Sequence, residues 1–244
     1  MKLLFREDAY RREAPGQVLT VNDRGGIELD SSLFYPTSGG QPGDSGRLVW
    51  DSGVCDIATA VKGEGDSVIL VPAEGGDLPA VGTNVTQHID WDRRSGHMAV
   101  HTALHLLSVV IPLPVTGGSI SQAKGRLDFD MVDPLEDKDA LGAALNALIS
   151  RNLEVTESWI TEEELDANPG LVKTMSVQPP RGAGQIRLVR IGDDAEQVDL
   201  QPCGGTHVAR TGEIGLVRLG KVEKKGARNR RVYLHLAEAD QTHV

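Results

Sequence analysis

Residues 92–112 read DRRSGHMAVHTALHLLSVVIP, and at this stretch the hydrophobic pattern changes from that of short strands to that of a helix. Asp92 predicts the N-cap of a helix that carries His101 and His105, and Pro112 predicts its end. A helical segment of this length between two strand-rich regions divides the chain into two parts. We therefore expect domains at residues 1–90 and 91–244.

The region before the helix has the pattern of a small all-β unit. Segments 17–21 and 27–29 flank a hairpin signal at 22–26, which reads Asn-Asp-Arg-Gly-Gly. Further β-rich runs are expected at 47–50, 54–61 and 68–71. Short strands at this spacing are typical of a small barrel or sandwich.

The region after the helix mixes helices with strands. Asp133, Pro134 and Glu136 predict the start of a second helix through a capping box, and Thr161 predicts a short third helix that stops before Pro169. Strands are then expected at 185–191, 197–201, 214–222 and 231–236. Helices followed by antiparallel strands indicate an α+β fold, with the sheet packed on helices.

Composition limits the classes of protein that the chain can represent. Its 244 residues are 39% hydrophobic and 25% charged, which is ordinary for a globular protein of the cytoplasm. The N-terminus has no secretory pattern, and no apolar run approaches the roughly 20 residues of a membrane span. We expect a cytoplasmic protein with no membrane partner, in which Cys55 is a small buried thiol.

Charge is distributed unevenly along the chain. The net charge of −10 argues against general nucleic-acid binding, yet residues 218–231 carry seven basic residues and one acid. This basic stripe is either a solvated strand-turn-strand or a contact surface for one polyanion. The sequence leaves both readings open.

Two short motifs predict a metal site. His101 and His105 lie one turn apart on the predicted helix, so their imidazoles can converge on one cation. Cys203 and His207 flank Gly-Gly-Thr, and the two glycines allow a tight turn that points thiolate and imidazole the same way. Three nitrogens and one sulfur suit a single Zn²⁺. Four protein ligands would close a structural site, whereas catalysis needs an open position, and spacing does not decide between them.

Three blocks of sequence resemble a known family. They read HTALHLL at 101–107, CGGTHVARTGEIG at 203–215 and FYPTSGGQPGDSG at 34–46. All three look like the editing region of alanyl-tRNA synthetase and its free-standing relatives, the AlaX trans-editing proteins of the medium-length class. The resemblance implies a barrel like the second domain of elongation factors, followed by an α+β editing domain. It also implies that His101, His105, Cys203 and His207 hold Zn²⁺.

The same resemblance implies a reaction. Water would cleave the ester between an amino acid and the terminal adenosine of tRNA(Ala), with serine as the expected substrate; whether glycine is also cleared is left open. A polar group that pairs with the serine hydroxyl would discriminate against alanine. Thr102, Thr116 and Ser119 are the candidates for this group.

Two further roles are expected from the sequence. Gln41 follows Ser38-Gly39-Gly40 and, by analogy with the Gly-Gly-Gln tip of peptide release, is a candidate catalytic amide. The tRNA backbone requires cations, and the candidates are Lys221, Lys224, Lys225, Arg228, Arg230 and Arg231. The alternatives are a zinc hydrolase of another ester or amide, and a non-catalytic tRNA-binding module with a structural zinc. Whether the chain acts as a monomer or a homodimer is left open.

Overall fold

A computed structural model describes residues 1–135, 137–175 and 184–237. It divides the chain into two compact units, Met1–His97 and Met98–Val244. None of the helices within the described residues is long and apolar enough to cross a bilayer.

The first unit is a closed barrel of six antiparallel strands, as the sequence predicted. The barrel order is β2-β3-β7-β6-β5-β8, and β1 and β4 form a separate parallel pair. The elements are β1 (Lys2–Leu3), α1 (Leu4–Glu7), β2 (Glu13–Val21), β3 (Ile27–Leu29), β4 (Ser31–Ser32), β5 (Gly46–Trp50), β6 (Gly53–Lys62), β7 (Val68–Pro72) and β8 (Asn84–Ile89). Alternate residues of these strands fill the barrel, among them Leu48, Leu70 and the buried thiol of Cys55.

The long helix α2 (Trp91–Val110) begins two residues earlier than it would if Asp92 were its cap. Asp90 is the cap instead, because its Oδ1 accepts a hydrogen bond from the backbone N–H of Arg93 at 3.1 Å. The predicted cap at Asp92 is therefore wrong by two residues. The predicted end is confirmed, since the helix stops two residues before Pro112.

The second unit has two antiparallel sheets and shorter helices, which confirms the α+β prediction. One sheet has the order β14-β15-β10-β9 and the other the order β11-β12-β13. The elements are β9 (Val115–Ile120), β10 (Lys124–Asp130), α3 (Lys138–Ser150), β11 (Val155–Thr161), α4 (Glu162–Ala167), β12 (Gln185–Gly192), β13 (Gln197–Pro202), β14 (Val217–Lys224) and β15 (Asn229–Leu236).

The four-stranded sheet packs closely on α2 at one glycine. A Cβ built on Gly125 of β10 would lie 2.7 Å from Val100 Cγ1 and 2.9 Å from Leu104 Cδ1. Only a residue without a side chain permits this approach. The buried face of the sheet thus packs against Val100 and Leu104, the helical residues that directly precede His101 and His105.

The helix α3 starts later than the sequence predicted. It begins at Lys138, and Asp137 caps it by accepting a hydrogen bond from Ala140 N at 2.8 Å. The predicted start at Asp133 is wrong, because the carbonyl of Asp133 accepts a hydrogen bond from Arg230. Glu136 of the predicted capping box lies outside the described residues. The capping box at Thr161 is confirmed, with Glu164 as its partner.

Candidate metal centre

Four donor side chains meet at one point of the second unit. The metal-binding atoms of His101, His105, Cys203 and His207 all lie within 4.8 Å of one another. The Sγ of Cys203 is 3.4 Å from His101 Nε2 and 3.3 Å from His207 Nε2. The structure therefore brings together the two pairs that the sequence spacing singled out.

The helix and the turn place the donors for simple geometric reasons. His101 and His105 are one helical turn apart on α2, with ring centroids 5.3 Å apart. Cys203 and His207 come from the turn that follows β13, and the His207 ring centroid lies 4.3 Å from that of His101. Three imidazoles and one thiol at this spacing are a donor set that fits Zn²⁺.

His105 is oriented by a buried carboxylate. Its Nδ1 lies 3.0 Å from Asp199 Oδ2, so Nε2 is the ring nitrogen that is available to a metal ion. Asp199 is only 2% exposed, and Gln201 Nε2 donates to the same oxygen at 2.8 Å. Lys173 pairs with the other carboxylate oxygen. Burial raises the pKa of Asp199, but the hydrogen bond and charge of His105 together with Lys173 lower it to about 2, so the group is a carboxylate.

His207 is oriented by a threonine. The hydroxyl of Thr102 donates to the carbonyl of Met98 at 3.0 Å, so it is an acceptor toward His207 Nδ1 at 3.1 Å. The N–H of Val208 donates to the same hydroxyl at 3.3 Å. Burial and the neighbouring His101 lower the pKa of His207 to about 3, which favours the neutral ring that a metal requires.

Cys203 sits in a turn that is held by an arginine. Burial raises the pKa of its thiol, but the imidazoles of His101 and His207 hold that pKa well below its usual value. The guanidinium of Arg187 donates to the carbonyl oxygens of Cys203 at 2.7 Å and Gly205 at 2.9 Å. Glu157, on the neighbouring strand β11, pairs with the same guanidinium. The turn is thus held by the buried guanidinium of Arg187, whose ion-pair partner Glu157 is exposed.

The sequence did not predict Asp199 or Arg187 as part of the site. Both lie on predicted strands, where an inward-facing charge would have been a usable signal. Asp199 and Gln201 are two residues apart and therefore share one face of β13. Which face is inward is fixed only by the pairing with β12.

The other predicted substrate contacts lie on or beside β9. The hydroxyl of Thr116 donates to the carbonyl of Asp128 at 3.1 Å and accepts from Asn229 Nδ2 at 2.8 Å. Ser119 faces Arg126 of β10 in the strand register and is half-buried. Their roles in binding a substrate stay predictions.

Gln41 lies in the first unit and is buried rather than solvated. The backbones of Ser38 and Gln41 exchange hydrogen bonds of 3.0 and 2.9 Å across a two-residue turn. Gly39 and Gly40 form this turn with φ of 56° and 85°, values that favour glycine. The side chain of Gln41 is 0% exposed, so the structure shows a buried glutamine at this turn instead of one that extends into solvent.

A buried ion pair fixes the segment that contains Gln41. Asp44 accepts a hydrogen bond from Tyr35 N at 2.6 Å and two from Arg94 Nε at 3.0 and 3.1 Å. Arg94 also donates to the carbonyls of Ala9 and Leu33, each at 2.9 Å. Both charged side chains are 0% exposed. The Gly-rich block of the sequence is therefore tied to the first unit by buried hydrogen bonds.

Most of the predicted basic stripe is neutralised by neighbours. Arg228 pairs with Asp130 and Arg231 with Asp128, while Lys221 and Lys225 share Glu223. Arg230 donates to the carbonyls of Val132 and Asp133. Among the six, Lys224 and Arg230 have no ion pair to another described residue. The role of this stripe in binding tRNA stays a prediction.

Comparison with known proteins identifies the family. The profile of the threonyl and alanyl tRNA synthetase second additional domain matches residues 186–233, which include Cys203 and His207. The chain is 36% identical over 230 residues to the alanine–tRNA ligase of Pyrobaculum calidifontis, an alignment that covers 91% of this chain. It spans only a quarter of that ligase's length.

Free-standing relatives match the chain over nearly its whole length. It is 33% identical over 247 residues to the alanyl-tRNA editing protein AlaX-M of Methanosarcina acetivorans, with 97% of this chain and 99% of the relative aligned. The chain belongs to the AlaX-M family. The AlaX-M of Saccharolobus solfataricus is 35% identical over 238 residues, covering 94% of this chain and 96% of that protein.

Proposed function

We propose that this chain is a trans-editing deacylase that hydrolyses the ester of serine wrongly attached to tRNA(Ala), and of glycine as a second substrate. Membership of the AlaX-M family supports alanyl-tRNA editing and tRNA as the partner. The observation that carries the proposal is the convergence of three imidazoles and one thiol, two of the imidazoles being oriented by buried partners.

The donor set fits one Zn²⁺. His101, His105, Cys203 and His207 would hold it, and the pKa of Cys203 favours the thiolate that a metal requires. When bound, zinc supplies a Lewis acid that polarises an oxygen or lowers the pKa of water toward about 7. The protein's part is to fix the ligands, through Asp199 behind His105 and Thr102 behind His207.

Discrimination against alanine needs a polar partner for the serine hydroxyl. A site that is built to pair with a hydroxyl leaves its own polar group unpaired when alanine binds. Thr116 and Ser119 remain the proposed partners. The hydroxyl of Thr102 already serves three protein groups, so we propose that it orients His207 instead.

The experiment is single-turnover deacylation of tRNA(Ala) charged with serine, glycine or alanine. Cys203→Ala removes one donor, and Cys55→Ala is the matched control, because that thiol is buried in the barrel of the first unit. We expect rapid loss of serine, slow loss of alanine, an inactive Cys203→Ala protein and a fully active Cys55→Ala protein. Equal rates of serine and alanine release would refute the proposed specificity for serine. Absence of hydrolysis by the zinc-loaded protein would refute the proposed deacylase activity.

The catalytic role of Gln41 is tested in the same assay. Gln41→Ala should slow deacylation of serine-charged tRNA if the amide acts on the ester. Because the side chain is fully buried, circular dichroism and thermal unfolding of the variant must accompany the kinetics. An unchanged rate in a folded variant would exclude Gln41 from the mechanism.

A structural zinc is the second candidate, and the count of four donors favours it, since four protein ligands close a tetrahedral site. A structural site should unfold when a chelator removes the metal, because binding energy is then folding energy. A catalytic site should lose activity while the far-ultraviolet spectrum stays the same. Zinc removal followed by both measurements separates the two.

A further inference from the structure

Two cations and a histidine lie on the outer face of the four-stranded sheet, and of these only Arg218 belongs to the predicted stripe. In the strand register, His235 of β15 faces Lys124 of β10 on one side and Arg218 of β14 on the other. The next residues of β10 and β15, Gly125 and Leu234, point to the buried face. Lys124, His235 and Arg218 therefore form a row across three adjacent strands, called here the sheet-end row.

The sheet-end row differs from the stripe because its charges are not neutralised. Within the described part of the chain, neither Lys124 nor Arg218 has an ion pair or a side-chain hydrogen bond, and both are exposed. Burial, Arg218 and Lys124 lower the pKa of His235, in that order of size, which reflects the positive field at this point. By contrast, Arg228 and Arg231 are each held by an aspartate.

The strand residue next to Lys124 packs on the helix that carries the histidine pair. Gly125, next to Lys124 in β10, rests on Val100 and Leu104, and these two residues directly precede His101 and His105 in α2. Arg230 is five residues from His235 along β15, which is about 17 Å at about 3.4 Å per residue. The sheet-end row itself lies on the opposite, solvent-exposed face of the sheet, apart from Arg230 of the stripe.

The dimensions suit a nucleic-acid backbone. Neighbouring strands are about 4.8 Å apart, so three side chains across three strands span roughly 10 Å. One strand of a duplex carries a phosphate for about every 3.4 Å of helix axis, so this length faces about three phosphates. Lysine and arginine side chains are the usual phosphate contacts, and they position the nucleic acid without reading its sequence.

We propose that Lys124, His235 and Arg218 bind consecutive phosphates of the tRNA acceptor end. The proposal rests on the proposed function for the identity of the polyanion. It assigns the electrostatic contact to residues that the basic stripe does not include, apart from Arg218 at its edge.

The test compares two doubly neutralised proteins. Lys124→Gln with Arg218→Gln changes the sheet-end row. Lys225→Gln with Arg228→Gln is the matched control, since it removes the same formal charge from stripe residues that are already paired with acids. All four positions are exposed, so both proteins should fold. Binding of uncharged tRNA(Ala) is measured between 50 and 200 mM salt, and kcat and KM are measured separately on serine-charged tRNA.

We expect the sheet-end variant to lose about 0.7–0.9 from the log–log salt slope for each phosphate contact removed, or roughly 1.5 in all. Its KM should rise about tenfold with kcat within a factor of two, and the control should change little. An equal or larger loss in the stripe variant, or an unchanged slope in the sheet-end variant, would overturn the proposal. So would an equal loss of heparin binding, because the row would then be a general polyanion surface.

Failure of this proposal is distinguishable from failure of the proposed function. Uncharged tRNA carries no ester, so its binding does not depend on hydrolysis. A wild-type protein that binds tRNA through the row but releases no amino acid would support the surface and refute the deacylase. If the wild-type protein hydrolysed serine-charged tRNA and the sheet-end variant bound and hydrolysed it equally well, the deacylase would be supported and the surface refuted.

Discussion

Replacing Asp199 should weaken zinc binding although Asp199 is not itself a proposed ligand. Its Oδ2 accepts from His105 Nδ1 at 3.0 Å and from Gln201 Nε2 at 2.8 Å, while its other oxygen faces Lys173. In Asp199→Asn the amide oxygen can keep the contacts to His105 and Gln201. The amide NH₂ must then face the ammonium of Lys173, and the negative charge that strengthens His105 as a ligand is gone.

The size of the effect follows from what each variant retains. Loss of an outer partner of a metal-bound histidine costs about 10–100-fold in metal affinity. Asp199→Asn keeps the hydrogen bond and loses the charge, so we expect a loss of zinc affinity at the lower end of this range, about tenfold or about 1.4 kcal/mol of binding free energy. Asp199→Ala also leaves the ring of His105 without an acceptor and Lys173 without a counter-ion. We therefore expect a loss of zinc affinity at the upper end of the range, about 100-fold or about 2.7 kcal/mol.

The assay is competition for zinc between the protein and a chromophoric chelator of known affinity, at one fixed pH. Asp194→Asn is the matched control, because this carboxylate is 96% exposed in the turn after β12. Thermal unfolding of the metal-free proteins checks that the variants keep their fold. If Asp199→Ala bound zinc within a factor of two of the wild type, the orientation of His105 would not depend on Asp199 and the reasoning would be wrong.

Two further predictions concern stability. Arg94→Met leaves the carboxylate of Asp44 buried without a counter-ion, so the first unit should lose about 3–5 kcal/mol in a urea unfolding experiment; a loss below 1 kcal/mol would contradict the role of this pair. Asp137→Ala removes the cap of α3 and should cost about 1 kcal/mol, whereas Asp133→Ala should stay within about 0.5 kcal/mol; equal effects of the two substitutions would contradict the observed helix start.

Local patterns were enough for several parts of the fold. Five of the six barrel strands, the helix that ends before Pro112 and the capping box at Thr161 depend on residues a few positions apart, and the structure confirms them. The barrel strand β8 and the strands β9, β10 and β11 were not predicted. β9 contains Gly117 and Gly118, which weaken a strand pattern, and β11 is exposed on nearly every residue, so it shows no alternation.

Competing local signals explain the errors at helix starts. Asp90 and Asp92 both precede the helical pattern of α2, and Asp133 and Asp137 both precede that of α3. Any of these carboxylates can cap a helix, so the choice depends on which backbone N–H groups are left without partners. In α3 the earlier segment is held by Arg230, which is 97 residues from Asp133 in the chain.

The sequence by itself determined the four donors, because a helical turn and a glycine turn each fix the relation between two residues close in the chain. The meeting of the two pairs, and the groups behind them, was decided by the tertiary structure. Asp199 reaches His105 across 94 residues, and Asp128 reaches Arg231 across 103. Strand pairing and burial set these contacts. For that reason only the structure shows which of the four donors are oriented by buried partners, and which basic side chains among the described residues have no acidic partner.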